Sequence, residues 1–293
     1  MNHCYQRAEN GMLLFYCVSD YLVYFTHYCI LARRYHIRVL SLCMMPDHLH
    51  ESVIAATGRS LTLFKKRLNS QFARVHNEVC HMEGQLFEES YGIAPKIGGK
   101  AERTNLIYVG NNGVERNLCS RAEEYRWNFL AYAVSPNPFS DRLVIRESRW
   151  PMRRAIKEVK ACFKSLKPLT YAQLQRLFNP LTDMEKAQLV DYIINLYNVI
   201  DYKAAISRFG DYDKMLTAMH STTGSEHDIK EEFTGYSDAC YAKMARYVLK
   251  LPGVKDVHDI LAWDDDRKWC LYQDLRGRFN ATGRQIAKFL RFA

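Results

Sequence analysis

The feature that most constrains the fold is the segment Met44–His50, which ends in two histidines separated by one leucine. Residues i and i+2 of a β-strand point to the same face of a sheet. If residues 48–55 form a strand, the imidazoles of His48 and His50 therefore project side by side. Two neutral imidazoles on one face can bind a divalent metal. Without a second motif, such a histidine pair is more often an ordinary surface or core feature than a metal site.

Length, composition and charge narrow the class of protein. The chain has 293 residues, of which 48% are hydrophobic, and it carries a net charge of +9. This length allows two domains, and the hydrophobic content suffices for a packed core. The positive charge suits a polyanionic partner such as nucleic acid.

The sequence also indicates where the protein works. No apolar run reaches the roughly 18 residues of a membrane span, and no apolar stretch follows the basic start as it would in a signal peptide. The nine cysteines are scattered and include no Cys-x-x-Cys pair. We therefore expect reduced thiols, a cytoplasmic location and no membrane partner.

The order of predicted elements in the first half indicates an α+β fold. Strands are expected at 2–7, 36–44, 48–55 and 85–91, and helices at 19–34, 58–79 and 104–113. Ser19 or Asp20 is the expected N-cap of the first helix, Thr104 caps the third, and Gly113 ends it. This order fits a ferredoxin-like antiparallel sheet with helices on one face.

The second half is predicted to be all-α. Ser135–Pro138 has the composition of a boundary, so we divide the chain into a first domain at 1–134, a linker at 135–150 and a helical accessory region at 151–293. A loop is expected at 221–225. The segment Thr282–Leu290 resembles the first helix of a helix-turn-helix, although a generic small helical domain explains it equally well. The region is a candidate for DNA or partner contact.

A tyrosine and an asparagine in the third predicted helix form a second candidate pair. Tyr108 and Asn112 are four residues apart, so they share one face of a helix. The chain has 19 tyrosines, so Tyr108 alone would mean little. Basic side chains that could contact phosphates, or simply form a solvated face, are Lys65, Lys66, Arg67, Arg74, Lys96, Lys100 and Arg103.

Two motifs together resemble a known family. Met45–His50 is similar to the histidine–hydrophobic–histidine signature of HUH single-stranded DNA endonucleases, in the form used by single-tyrosine transposases of the IS200/IS605 type. Tyr108–Val114 and Arg121–Trp127 resemble the nucleophile helix of that family, closest to the branch associated with repetitive extragenic palindromes. The motifs lie roughly 60 residues apart in the family's order, and the resemblance covers about residues 1–133.

The resemblance implies a chemistry and a substrate. Tyr108 would attack a phosphodiester of single-stranded DNA, stay joined to the 5′ phosphate and leave a free 3′ hydroxyl. His48, His50 and Asn112 would bind a divalent ion, Mg²⁺ or Mn²⁺, that neutralises the scissile phosphate. The implied substrate folds into hairpins, and the implied assembly is a homodimer.

Several positions depart from the family's pattern. Gly113 stands where the branch has a proline, and Gly110 stands where a histidine is common. Neither change removes a reacting atom, but both can alter the helix end. Glu51 replaces an apolar residue, and Asp47 is expected to serve the turn, with its side chain facing away from His48.

Three functions are compatible with the sequence. The first is an active single-strand DNA transposase. The second is a catalytically decayed or domesticated hairpin-DNA-binding protein, which Gly113 and the short end of the chain favour. The third is a metal-dependent RNA-processing enzyme that uses the histidines without Tyr108. The substitution Tyr108→Phe separates them, because it removes covalent DNA attachment in the first and spares cleavage in the third.

Overall fold

This computed structural model describes residues 1–221 and 236–292, which form an α+β structure around one antiparallel sheet. The strands have the order β2-β3-β1-β4 and are β1 (Asn2–Arg7), β2 (Arg38–Met44), β3 (His48–Ile54) and β4 (Gly92–Pro95). The helices that follow β1, β3 and β4 are α1 (Val18–Arg34), α2 (Gly58–Val79) and α3 (Gly99–Glu115). Two βαβ crossovers interleave in this arrangement, so the α+β class and the predicted order of elements are confirmed.

The helices lie on both faces of the sheet, so the prediction of helices on one face was wrong. Alternate residues of a strand point to opposite faces. On one face, Glu51 accepts hydrogen bonds from Lys65 of α2 and Tyr28 of α1. On the other face, the Asn105 amide of α3 donates to the Ser52 hydroxyl at 2.6 Å. The sheet is a middle layer, which explains why β3 is buried on both sides and shows no simple apolar–polar alternation.

The fourth strand lies later in the chain than predicted. Residues 85–91 form no strand and contribute only a single bridge at Phe87, whereas β4 spans Gly92–Pro95. Gly92 pairs with Tyr5, and a Cβ at residue 92 would lie 1.9 Å from the tyrosine ring. The glycine therefore lets β4 approach β1 at this position.

Two helix starts also differ from the prediction. The N-cap of α1 is Cys17, and Asp20 lies three residues inside, where it accepts the backbone N–H groups of Tyr16 and Cys17. The third helix begins at Gly99 and so includes Thr104 in its interior. It continues past Gly113 to Glu115, so Gly113 does not end it.

The chain after residue 134 is helical in its described part, as predicted. Its helices are α4 (Trp150–Lys164), α5 (Tyr171–Phe178), α6 (Asp183–Tyr197), α7 (Tyr202–Ile206), α8 (Tyr212–Ser221), α9 (Ala239–Val248), α10 (Asp265–Leu275) and α11 (Gly283–Leu290). Apart from its first residue, the loop predicted at 221–225 lies outside the described residues.

Two large apolar cores and two smaller apolar clusters hold the described elements together. The larger core joins the sheet and α1–α3 to α4–α6, through residues such as Met152 and Tyr197. The second core joins α9–α11 to Leu13 and Tyr16, which precede α1. The helices after residue 150 thus pack on the sheet layer, and the division into domains at residues 134 and 151 stays a prediction.

The structure also describes the state of the cysteines and the apolar character of the helices. All nine cysteines are free thiols. Within 1–221 and 236–292, no helix combines the length and the apolar character that crossing a bilayer requires.

Candidate active site

β3 and α3 bring the two sequence motifs together. His48 and His50 project from the face of β3 that α3 covers, and their ring centroids are 5.0 Å apart. The ring of Tyr108 lies edge-on to His50, with a centroid distance of 5.2 Å. All three side chains are buried. The strand period and the packing of α3 therefore place the predicted histidines and tyrosine in one cluster.

A third histidine, which the sequence did not single out, belongs to this cluster. His3 of β1 pairs with Ser52 in the sheet, so it shares the face of His50. Its Nε2 is 3.1 Å from Nδ1 of His50, and its ring centroid is 5.5 Å from that of Tyr108. The only signal in the sequence was the position of His3 in a predicted strand, and the β1–β3 register is needed to interpret it.

Asp47 does not face away from His48, contrary to the prediction. It lies in the turn before β3, where strand alternation does not apply, and its carboxylate accepts a hydrogen bond from Nδ1 of His48 at 2.5 Å. It also forms an ion pair with Lys288 of α11. Burial by itself raises the pKa of Asp47, but His48 and then Lys288 outweigh burial and hold this pKa well below its usual range.

The histidine pair fits a divalent metal in the way its rings are held. Nδ1 of His48 donates to Asp47 at 2.5 Å, and Nδ1 of His50 lies 3.1 Å from Nε2 of His3, so a metal bound in this ring orientation would contact Nε2 of each ring. The carboxylate contact of His48 is typical of metal-binding histidines. Asn112 is buried, and its side-chain N–H donates to the carbonyl oxygen of Tyr108 at 2.8 Å. Its amide oxygen is the atom that could serve as a third ligand.

A second cluster of potential metal ligands lies at the start of α1. Cys17, Asp20 and His258 have ligand atoms within 4.8 Å of one another. Asp20 already accepts hydrogen bonds from two backbone N–H groups, from Tyr171 and from Nε2 of His258, while Nδ1 of His258 donates to Asp256. Burial alone would lower the pKa of His258, but Asp20 and then Asp256 raise it to about 10. The cluster is satisfied as a protonated imidazole between two carboxylates.

The predicted phosphate-contacting residues do not lie on one surface. Lys65 is buried and pairs with Glu51 at 2.6 Å, so its prediction was wrong: Glu51 points into the layer between the sheet and α2 and draws the lysine inward. Exposed cations on α2, across the sheet from Tyr108, are Lys66, Arg67 and Arg74. The three remaining cations lie near the start of α3, where Lys96 is half-buried and Lys100 and Arg103 are exposed.

A basic groove beside α3 was not predicted from the sequence. It has a volume of about 420 Å³, and Lys100 and Arg103 line it together with Arg208 and Lys214 from the chain around α7 and α8. Arg208 and Lys214 each pair with a nearby carboxylate. Ile107 also lines the groove and is the residue before Tyr108, so the groove runs along the helix that carries the tyrosine.

The two glycines that depart from the family's pattern are packing positions. A Cβ at Gly110 would lie 2.8 Å from Cε of Met219, and a Cβ at Gly113 would lie 2.9 Å from the ring of Tyr125. The Tyr125 hydroxyl donates to the carbonyl oxygen of Met44 at 2.7 Å. Glycine at both positions thus lets other parts of the chain approach α3 closely.

No protein-family model, curated protein or solved structure matches the chain. The chain has a buried cluster of a phenol and imidazoles, and α3, which carries the phenol, also borders a basic groove.

Proposed function

We propose that the chain is a single-strand DNA transposase of the HUH type that cleaves and rejoins DNA through Tyr108. The observation that carries the proposal is the contact of Tyr108 with His50, next to His48. Two motifs about 60 residues apart in the chain meet in the combination that such chemistry requires. The proposal is further supported by the strand geometry that points His48 and His50 to one face of β3, and by the helix spacing that places Asn112 near Tyr108.

The proposed reaction is a transesterification. The Tyr108 hydroxyl attacks phosphorus, a bond forms between its oxygen and the phosphorus, and the bond to the 3′ oxygen breaks. The tyrosine proton is lost and the 3′ oxygen gains a proton to become a hydroxyl. A 3′ hydroxyl then attacks the phosphotyrosine and restores a phosphodiester. The bond energy is retained in the tyrosine link, so the reaction needs no nucleoside triphosphate.

The residues around Tyr108 have distinct roles in this proposal. An ordinary tyrosine, with a pKa near 10, is a poor nucleophile at neutral pH. A divalent ion, Mg²⁺ or Mn²⁺, when bound, would neutralise the scissile phosphate. His48, His50 and the amide oxygen of Asn112 would hold that ion, and His3 would orient the ring of His50.

The basic groove supports a nucleic-acid substrate. Cations along a groove neutralise successive phosphates of a single strand. Because the groove follows α3, a strand bound to Lys100 and Arg103 would run toward the turn of helix that carries Tyr108. A hairpin-forming strand and a homodimer complete the proposal, and both rest on the family resemblance.

The test is a search for a covalent adduct. The purified chain is incubated with Mn²⁺ and an end-labelled single strand that carries the hairpin beside its gene, and the products are run on a denaturing gel. We expect label to migrate with the protein, and to be lost in Tyr108→Phe and His48→Ala. Tyr236→Phe, at a tyrosine that is 47% exposed, is the matched control and should retain the adduct.

A second candidate, a hairpin-DNA-binding protein without catalysis, is favoured by one observation. Tyr108 is only 3% exposed, and a phosphate must reach its hydroxyl for reaction. Tight hairpin binding without an adduct would support this candidate and contradict the first. Cut strands that persist in Tyr108→Phe would instead indicate a metal nuclease.

A further inference from the structure

Asp47 connects the histidine motif to a distant helix. One carboxylate oxygen accepts a hydrogen bond from Nδ1 of His48 at 2.5 Å, and the other forms an ion pair with the Lys288 ammonium. The side chains of Asp47, His48 and Lys288 are 17%, 5% and 22% exposed. Because water is mostly excluded, the charge of Lys288 acts on Asp47 more strongly than it would at an open surface.

The backbone beneath Asp47 is held from two sides. The carbonyl oxygen of Pro46 accepts the N–H groups of Leu14 and Phe15, at 2.8 and 3.1 Å. The carbonyl oxygen of Asp47 accepts the N–H of Ala8 at 3.0 Å. The turn before β3 is therefore fixed to the chain that precedes α1.

Helix α11 is fixed to the same stretch of chain. Arg291 donates to the Tyr16 hydroxyl at 3.0 Å and to the carbonyl oxygen of Leu13 at 3.1 Å. Phe289 and Leu290 are fully buried in one core with Leu13 and Tyr16. Residues 13–16 are thus a common support for the turn and for α11, and Lys288 reaches Asp47 from a packed helix.

We propose that Lys288 is a positioning residue for the histidine pair. It fixes the Asp47 carboxylate, and the carboxylate in turn fixes the ring plane of His48 and its Nδ1–H tautomer, in which the lone pair of the ring lies on Nε2. The consequence for metal binding rests on the proposed function. The effect on the His48 ring does not, because it follows from the Lys288–Asp47–His48 contacts alone.

The test compares variants that alter the charge of one lysine. Lys288→Met removes the ammonium and keeps a long apolar stem, whereas Lys288→Arg keeps the charge. Lys243→Met, on an exposed residue of α9, is the matched control. The full chain is labelled with ¹⁵N-histidine, and the His48 ring signals are assigned from the spectrum of His48→Gln.

We expect the wild type, Lys288→Arg and Lys243→Met to show His48 with its proton on Nδ1. Lys288→Met should show a mixture of tautomers. The affinity for Mn²⁺, measured from the electron paramagnetic resonance signal of the free ion, should fall about tenfold in Lys288→Met, which is the usual size of such outer contacts. It should stay unchanged in the control.

An unchanged His48 tautomer in folded Lys288→Met would overturn the proposal. If the wild type binds no Mn²⁺, the proposed metal role fails, and the ring spectra still decide the role of Lys288. Should Lys288→Met not fold, Lys288→Gln takes its place, because its shorter, neutral side chain cannot form the ion pair. Loss of the Nδ1–H tautomer in that variant would support the proposal, and its retention would overturn it.

Discussion

Two carboxylates four residues apart, Asp47 just before β3 and Glu51 within it, pair with lysines in different ways. Glu51 lies between the sheet and the α1–α2 layer, where it pairs with Lys65 at 2.6 Å, and both side chains are at most 2% exposed. Its other oxygen accepts the Tyr28 hydroxyl at 2.5 Å. Asp47 is partly exposed and divides its oxygens between Lys288 and His48.

The difference separates a structural ion pair from one that belongs to a site. The Glu51 network joins β3 to α1 through Tyr28 and to α2 through Lys65, so its effect is to hold β3 against these helices. The Asp47 network ends on a histidine of the candidate active site. The same pairing of a carboxylate with a lysine can thus serve stability in one place and orientation in the other.

The largest effect on stability is expected when the buried Glu51–Lys65 pair loses its cation. Lys65→Met leaves the Glu51 carboxylate buried without its cation, which should cost about 3–5 kcal/mol of unfolding free energy. Urea denaturation measures this change. The exposed neighbour gives the control Lys66→Met, which should stay within about 0.5 kcal/mol of the wild type. A loss below about 1 kcal/mol in Lys65→Met would contradict the interpretation.

Asp20 is a third paired carboxylate, fully buried, and its partner His258 titrates. Since the pKa of His258 is raised from 6.5 to about 10, its ion pair stabilises the fold fully below pH 6.5 and is lost as the pH rises through 10. Unfolding free energy should therefore fall by a few kcal/mol between pH 7 and 10, more steeply in the wild type than in His258→Gln. The control His81→Asn, at an exposed histidine, should show the same decrease of unfolding free energy with pH as the wild type. Equal decreases in all three proteins would contradict the prediction.

Removing Lys288 from its pair with Asp47 should reduce the unfolding free energy less than removing Lys65 from its pair with Glu51. In Lys288→Met, Asp47 keeps His48 as a partner and has partial access to water. We expect a loss of about 1–2 kcal/mol in the same urea experiment. A loss as large as that of Lys65→Met would show that the two networks do not differ in the way proposed.

The smallest effect is expected in the salt dependence of DNA binding, when cations on the two faces of the sheet are compared. Exchanging Lys100 and Arg103 together for glutamine should reduce the salt slope of single-strand binding by about 1.4, or about 0.7 for each lost phosphate contact. Fluorescence anisotropy at several salt concentrations measures this slope. The matched pair on α2, Lys66 and Arg67, lies across the sheet from Tyr108 and should change it little. A larger change in the salt slope from the α2 pair than from the α3 pair would place the DNA strand on the α2 face.

Local patterns in the sequence were sufficient for part of the site. Spacing by two residues placed His48 and His50 on one face of a strand, and spacing by four placed Tyr108 and Asn112 on one helix. The order of strands and helices was also readable, because each element has its own periodicity and turn signals. These features depend only on residues that are close in the chain.

The missing parts depend on long-range packing. His3 becomes a neighbour of His50 only through the β1–β3 register, and Lys288 reaches Asp47 only because α11 packs on residues 13–16. Lys65 lies beside the apolar stripe of α2, and its burial follows from the face to which Glu51 points. Helical periodicity carries no information about such a partner on another element.

The position of Lys288 in the chain has a consequence for the order of events during synthesis. It follows His48 by 240 residues, which at 5–20 residues per second corresponds to about 10–50 s of translation. The strands around the histidines can pair during this interval, while Asp47 still lacks its lysine. A nascent chain on the ribosome would therefore carry the histidines well before their full support is present, and an early stop codon upstream of Lys288 would leave them permanently in that incomplete state.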